Sequence, residues 1–210
     1  MNKIGAAELR ELIVAISERV ASERDLLNRL DAALGDGDHG SSVSTAFEAA
    51  VKDIAALNEP SLSAIWLTTA KALMNRMGGA SGAIFGTFFL RGVSLLRERE
   101  GLDKAEMEAV LKAGLAGVKA RGKAQLGDKT MVDALEPAVA AFAAAEDFRT
   151  AWSAAAQAAR EGAEATRNLL ARQGRAKYLG ERAIGRIDPG AMTVALMFAA
   201  IDNYWRENCS

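Results

Sequence analysis

Apolar residues recur at helical spacing in about eight successive stretches, and the connections between them alternate between two kinds. The stretches are 6–33 (through Leu9, Leu12, Ile13, Ile16, Val20, Leu27 and Leu30), Ser41 or Ser42 to about 57, 61–77, 83–99, 103–119, a sixth from about Met131, 148–173, and 191–208. With only three prolines, abundant alanine and no β-branched runs, helix is favoured almost throughout. Ser41 or Ser42 is expected to cap the second helix, Pro60 to precede the third and Asp103 to cap the fifth. Pro137 should kink the sixth helix or mark a later start. Connections after the second, fourth and sixth helices are short and chemically plain. Those after the first, third, fifth and seventh, at 31–40, 78–82, 121–130 and 174–190, hold most of the glycine-rich and aspartate-rich sequence. In an up-and-down antiparallel bundle, alternate connections land at the same end. The expected fold is all-α: an antiparallel barrel or bundle of about eight helices, one domain over 1–210, with the four rich loops on one rim.

The richest loop is D-A-A-L-G-D-G-D-H-G, Asp31 to Gly40. Three carboxylates this close raise one another's pKa unless a cation neutralises them. A hard divalent ion such as Mg2+ takes oxygen ligands, commonly a few carboxylates plus substrate phosphates. Asp31, Asp36 and Asp38 therefore read as a metal–phosphate site, against the plainer alternative of an acidic surface turn. They do not match an EF-hand, and no P-loop occurs. His39, the only histidine, can donate to phosphate, orient the loop or make a structural hydrogen bond.

The predicted bundle also has an electrostatic consequence. Alternate helices start at the rich rim, each presenting unpaired N–H groups and the positive end of its dipole. Such a rim suits an anion. Gly40-Ser41-Ser42, Gly79-Ala80-Ser81-Gly82 and Pro189-Gly190 are small enough to let a phosphate approach, while Asp31 lies near the end of the first helix, where the dipole favours a cation. In the second loop Gly122 and Met131 can wall a flat ligand such as adenine, although a core methionine is the simpler reading, and Arg121, Lys123, Asp128 and Lys129 read as a solvated turn. In the third, Arg175, Lys177, Arg182 and Arg186 bring forked donors to a rim that also holds aspartates. Asp188-Pro189-Gly190 reads first as a helix start, and then as a nucleotide contact. Trp66, Trp152 and Trp205 read as packing residues.

Composition excludes other classes. Lysine plus arginine total 26 and aspartate plus glutamate 27, so there is no basic footprint for nucleic acid and no polybasic face for a membrane. No apolar run approaches the roughly 18 residues of a membrane span. Cys209 is the single cysteine, which suits a reducing compartment, and the amphipathic N-terminus lacks a signal-peptide core, so a cytoplasmic protein is expected.

Four motifs, L-D-A-A-L-G-D-G-D-H-G (30–40), G-G-A-S-G-A-I-F-G-T-F-F (78–89), R-G-K-A-Q-L-G-D-K-T-M-V-D-A-L (121–135) and G-R-A-K-Y-L-G-E-R-A-I-G-R-I-D-P-G-A (174–191), resemble the L subunits of dihydroxyacetone kinases, nucleotide-binding partners of a substrate-binding K subunit. The resemblance spans nearly the whole chain and implies an α-barrel with a nucleotide at one end. It implies that Asp31, Asp36 and Asp38 hold two Mg2+ ions. It implies that His39, Gly40, Ser41, Ser42, Ala80, Ser81, Gly122, Met131, Arg175, Asp188, Pro189 and Gly190 contact ADP or ATP, with Arg175 and His39 as catalytic candidates. In one branch of that family a multiphosphoryl phosphotransferase-system subunit recharges a resident ADP. In the other, K-like and L-like domains are fused and exchange ATP. Gly37, where alanine would be closer to the phosphotransferase branch, keeps ATP-dependent kinases of related ketoses such as erythrulose in view. Other expectations left open are an L-like domain serving a fatty-acid kinase, docking on a transcription regulator, and a homodimer.

Overall fold

The computed structural model describes residues 3–208, and Cys209 lies outside them. Nine α-helices run through the described residues: α1 Ala6–Ser22, α2 Arg24–Ala32, α3 His39–Ala55, α4 Leu62–Arg76, α5 Gly79–Gly92, α6 Lys104–Gly122, α7 Val132–Ala144, α8 Phe148–Ala165 and α9 Pro189–Asn208. From α3 onward each packs on its neighbour in sequence, and α9 returns to α1 to close the ring. With α1 and α2 taken as one broken rod, this is the eight-rod antiparallel barrel that the apolar spacing predicts.

The break replaces the expected continuous helix over 6–33. At Glu23 the backbone leaves the helical region (φ −106°, ψ 13°), and the Ser22 hydroxyl turns back to donate to the Arg19 carbonyl at 2.8 Å. The helix expected over 83–99 starts earlier, at Gly79, ends at Gly92 and tightens into a 3-10 turn, Val93–Leu96. The helix expected over 148–173 stops at Ala165 and passes through a 3-10 turn, Thr166–Asn168, where the Thr166 hydroxyl bonds back to the Ala163 carbonyl at 2.6 Å. The long connection to α9 carries a 3-10 segment, Arg175–Ala183, interrupted at Gly180 (φ 57°). The polar turn near 101 hides a strand: β2, Gly101–Leu102, pairs antiparallel with β1, Ile4–Gly5, and buries Ile4 and Leu102 at the plain end.

Aromatic side chains occupy the interior. Trp66 lies 4.8 Å from Phe89 between ring centres, Trp152 4.6 Å from Phe142 and Trp205 5.1 Å from Phe148, so all three tryptophans are packing residues. The void left between Ile13, Trp66, Phe88, Trp152 and Phe198 is about 30 Å³. The sequence reading of no long apolar run needs correcting: Gly79–Leu96 is 18 residues with mean hydropathy 1.3, long and apolar enough to cross a membrane by composition. Here Phe85, Phe88 and Phe89 turn into the barrel core.

Pro137 falls inside α7 without ending it. It cannot donate to the Asp133 carbonyl four residues back. That carbonyl faces Gly162 of α8, where an added Cβ would collide with it and lie 3.0 Å from the Ala134 Cα. Helix propensity alone favours Gly162→Ala by about 1 kcal/mol, but the backbone collision reverses the sign. The expected outcome is destabilisation by roughly 2 kcal/mol, read as a lower urea midpoint; an unchanged or higher midpoint would contradict the α7–α8 contact.

Candidate functional site

The first rich loop folds around one carboxylate. Asp31, in the last turn of α2, accepts through Oδ2 from the backbone N–H groups of Gly37 (2.9 Å), Asp38 (3.0 Å) and His39 (3.2 Å). These donors lead into α3 at His39, and a helix start leaves its first amides without helical partners and favours negative charge nearby. The cap expected from Ser41 or Ser42 is thus supplied by Asp31, and both serines lie inside the helix. Gly37 makes the reversal at φ +80°, which glycine adopts without strain, so local geometry accounts for the glycine there. The turn brings the carboxylates of Asp31, Asp36 and Asp38 together, with ligand oxygens within 4.8 Å of one another. Hard oxygen donors so spaced fit Mg2+. Arg175 pairs with Asp36, so a cationic side chain already sits against the cluster. That hydrogen bond is the largest cause holding the Asp36 carboxyl below its ordinary range, and it raises Arg175 in turn.

The segment bearing Arg175 is a loop closed at its neck. Gly185 N–H donates to the Arg167 carbonyl at 2.8 Å and Asp188 N–H to the Thr166 hydroxyl at 2.9 Å. Leu34, Ala171 and Ala183 form a small apolar seat joining it to the first loop. The second loop locks it from below. Lys129, only 1% exposed, donates through Nζ to the Thr166 carbonyl at 2.5 Å and to the Arg186 carbonyl. Burial lowers its pKa, and the Asp188 charge opposes that. The expected solvated turn is therefore half wrong: Arg121 and Lys123 are exposed, but Asp128 and Lys129 are buried. Asp128 accepts from Gln125 N–H at 2.9 Å, and its carbonyl accepts from Arg172 N–H at 3.1 Å. Buried Asp133 accepts from Gly127 N–H at 2.6 Å and Thr130 N–H at 2.8 Å. The T-x-x-D spacing from Thr130 to Asp133 is a helix-start signature that sequence reasoning passed over.

At the start of α9, Asp188 accepts from Ala191 N–H at 2.8 Å. Burial, the largest cause, pushes its carboxyl up to about 7. A Cβ on Gly190 would lie 3.6 Å from the Met131 Cβ, and one on Gly122 3.5 Å from Ile84 in the first turns of α5. His39 Nε2 lies 2.9 Å from the Thr193 hydroxyl, and its ring is 6.0 Å from Phe85 of α5. Thr193 spends its hydrogen on the Pro189 carbonyl at 3.0 Å, so Nε2 of His39 carries the proton in that bond. All four loops thus meet at one end of the barrel.

The expected contact residues divide by exposure. Ser41, Ala80 and Arg175 are exposed, and Ser42, Ser81, Gly122, Asp188 and Gly190 are half-buried. His39, Gly40, Met131 and Pro189 are buried. His39 is a joint between α3 and α9, and Gly40 makes room for α2, since a Cβ there would collide with the Arg24 carbonyl. Side chains engage early amides at three of the helix starts: Asp31 and Asn28 hold those of His39 and Ser41 in α3, the Thr130 hydroxyl that of Val132 in α7, and Asp188 that of Ala191 in α9. The start of α5 differs: Gly78 supplies no side-chain cap, and a Cβ on Gly78 or Gly79 would meet nothing within 4 Å. The start of α5 is thus uncapped and unobstructed, which suits the approach of an anion to its amides.

The profile of the DAK2 domain family matches residues 33–203. The chain is 38% identical over 181 residues to the ADP-binding subunit DhaL of the PEP-dependent dihydroxyacetone kinase of Escherichia coli, covering 84% of this chain and 86% of that subunit. It is 34% identical over 191 residues to the ADP-binding subunit DhaL of the PTS-dependent dihydroxyacetone kinase of Lactococcus lactis, covering 91% and 93%. The crystal structure of the dihydroxyacetone kinase from C. freundii in complex with AMP-PNP and Mg2+ superposes with a TM-score of 0.77 at 29% identity, covering 97% of this chain and 35% of that one.

His39 gives the site a pH signature. Its pKa is lowered from 6.5, burial being the largest cause. Below about pH 6.5 the unfolded chain takes up a proton that the folded one resists, so stability present above that pH is lost as pH falls. In His39→Gln the side-chain amide keeps a donor for Thr193 without titrating. The fall in thermal midpoint between about pH 7.5 and pH 5.5 should be smaller in the variant; identical falls would remove His39 as the cause.

Proposed function

Because the chain belongs to the DAK2 domain family, we propose that it is the ADP-binding, phosphoryl-transferring subunit of a dihydroxyacetone kinase, read as one nucleotide-binding domain over 1–210. The observation that carries this is the single rim where Asp31, Asp36 and Asp38 converge beside Arg175 and the open start of α5. In this reading the three aspartates hold two Mg2+ ions, whose chemistry is to neutralise phosphate charge and align the transferred group. Ser41, Ala80 and Ser81 face the phosphates, and Gly122, Met131 and Gly190 flank the base. Arg175, freed from Asp36, supplies a forked cation to the phosphoryl group. His39, Gly40, Ser42, Asp188 and Pro189 set the backbone of the site, and His39 is a positioning group rather than a proton carrier.

The similar proteins are ADP-binding subunits, so in this reading dihydroxyacetone is presented by a separate K subunit. The PEP- and PTS-dependent relatives favour recharging of resident ADP by a phosphotransferase-system subunit, and hence work in the cytoplasm. Native mass spectrometry should find ADP on the purified protein. Asp36→Asn should abolish its retention with helical circular dichroism unchanged; undiminished retention would refute the metal assignment. The pure chain should leave dihydroxyacetone unphosphorylated until K subunit is added, and turnover without it would overturn the division of labour. Turnover with K subunit and ATP alone would assign the phosphoryl source to ATP.

A further inference from the structure

Asn28 lies on α2, thirteen positions before Ser41, and the two exchange hydrogen bonds across the α2–α3 contact. Ser41 N–H can only donate, so the Asn28 atom 3.0 Å from it is Oδ1. The other amide atom is then Nδ2, which also can only donate, and it lies 2.9 Å from the Ser41 hydroxyl oxygen. The Ser41 oxygen therefore accepts, and its own hydrogen is not spent on Asn28. Several buried helical hydroxyls elsewhere in the barrel spend theirs on a carbonyl one turn back. Ser44 donates to the Gly40 carbonyl at 2.7 Å, Thr87 to the Ala83 carbonyl at 2.6 Å and Thr193 to the Pro189 carbonyl at 3.0 Å. Ser41 is exposed on the first turn of α3, two residues after His39, whose N–H is held by Asp31 of the carboxylate cluster.

We propose that Asn28 is a positioning residue that fixes the Ser41 hydroxyl as a hydrogen-bond donor to a phosphate oxygen of the bound nucleotide. This rests on the nucleotide-binding reading above. A phosphate oxygen accepts only, so a hydroxyl helps it only if its hydrogen is available and aimed. Asn28 provides both, because it occupies the oxygen as an acceptor and holds the adjoining amide. The break at Glu23 and the missing side chain at Gly40 let α2 come close enough for this exchange.

Asn28→Asp tests the polarity. A carboxylate still accepts from Ser41 N–H, but its second oxygen can only accept, so the Ser41 hydrogen turns toward it and away from the ligand. Calorimetric titration with Mg-ADP would compare the wild type, Asn28→Asp, Ser41→Ala and the double variant. Asn28→Asp and Ser41→Ala should each weaken binding by about tenfold or more. In the Ser41→Ala background the Asn28→Asp loss should shrink several-fold to the effect of the added charge. Equal losses in both backgrounds would overturn the proposal and leave nucleotide binding intact. So would wild-type affinity in Ser41→Ala, an outcome that does not depend on Asn28→Asp folding. A wild-type chain that binds no Mg-ADP would overturn both the proposal and the reading beneath it.

Discussion

The rim depends on one carboxylate oxygen shared by three amides. Asp31 Oδ2 holds the N–H groups of Gly37, Asp38 and His39. Those bonds fix where α3 begins, and so where Asp36, Asp38 and Ser41 lie. Hydrogen bonds to a charged acceptor are worth roughly 1.5–3 kcal/mol each, so this loop is held far more firmly than its glycines suggest. The same carboxylate lies at the end of one helix and the start of the next. The dipole of α2 there favours a cation and that of α3 an anion, so both charges are accommodated within one turn.

Two of the other loops, 121–130 and 174–190, are fastened by buried and half-buried polar groups as well as by the apolar seat of Leu34, Ala171 and Ala183. Lys129 ties the end of α8 to the approach to α9, Asp133 holds its own loop, and Asp188 starts α9. A buried charge without partners is costly, so each of these groups stabilises only while its neighbours stay in place. The rim is cooperative for that reason. Arg175 differs, because it is exposed and held to the rim by Asp36, and it can leave without unpairing anything buried.

Much of the barrel is legible in the chain because apolar spacing reports which face of each helix is inside. Leu9, Ile13, Ile16 and Val20 are buried as their spacing requires, and the alternation of plain and rich connections anticipates which loops meet. The aspartate cluster is legible because like charges in a short span demand a reason. Less could be read where a polar residue answers to a distant partner. Lys129 looks like a surface lysine until the carbonyls of Thr166 and Arg186 appear beside it, 37 and 57 positions away. The break at Glu23 leaves the apolar register of the first rod undisturbed, so periodicity passes over it. Gly40, read as space for phosphate, makes space for the carbonyl of Arg24, since the spacing of small residues does not say what approaches them.

The closed ring has a consequence for how the protein can be joined to others. Ile4 lies in β1 at the plain pole, and α9, leaving the rim at Pro189, runs 20 residues back toward the same pole. At about 1.5 Å per residue that separates its last turn from the carboxylates by roughly 30 Å. A partner resting on β1 and the last turn of α9 would therefore sit behind the molecule and leave the mouth unobstructed.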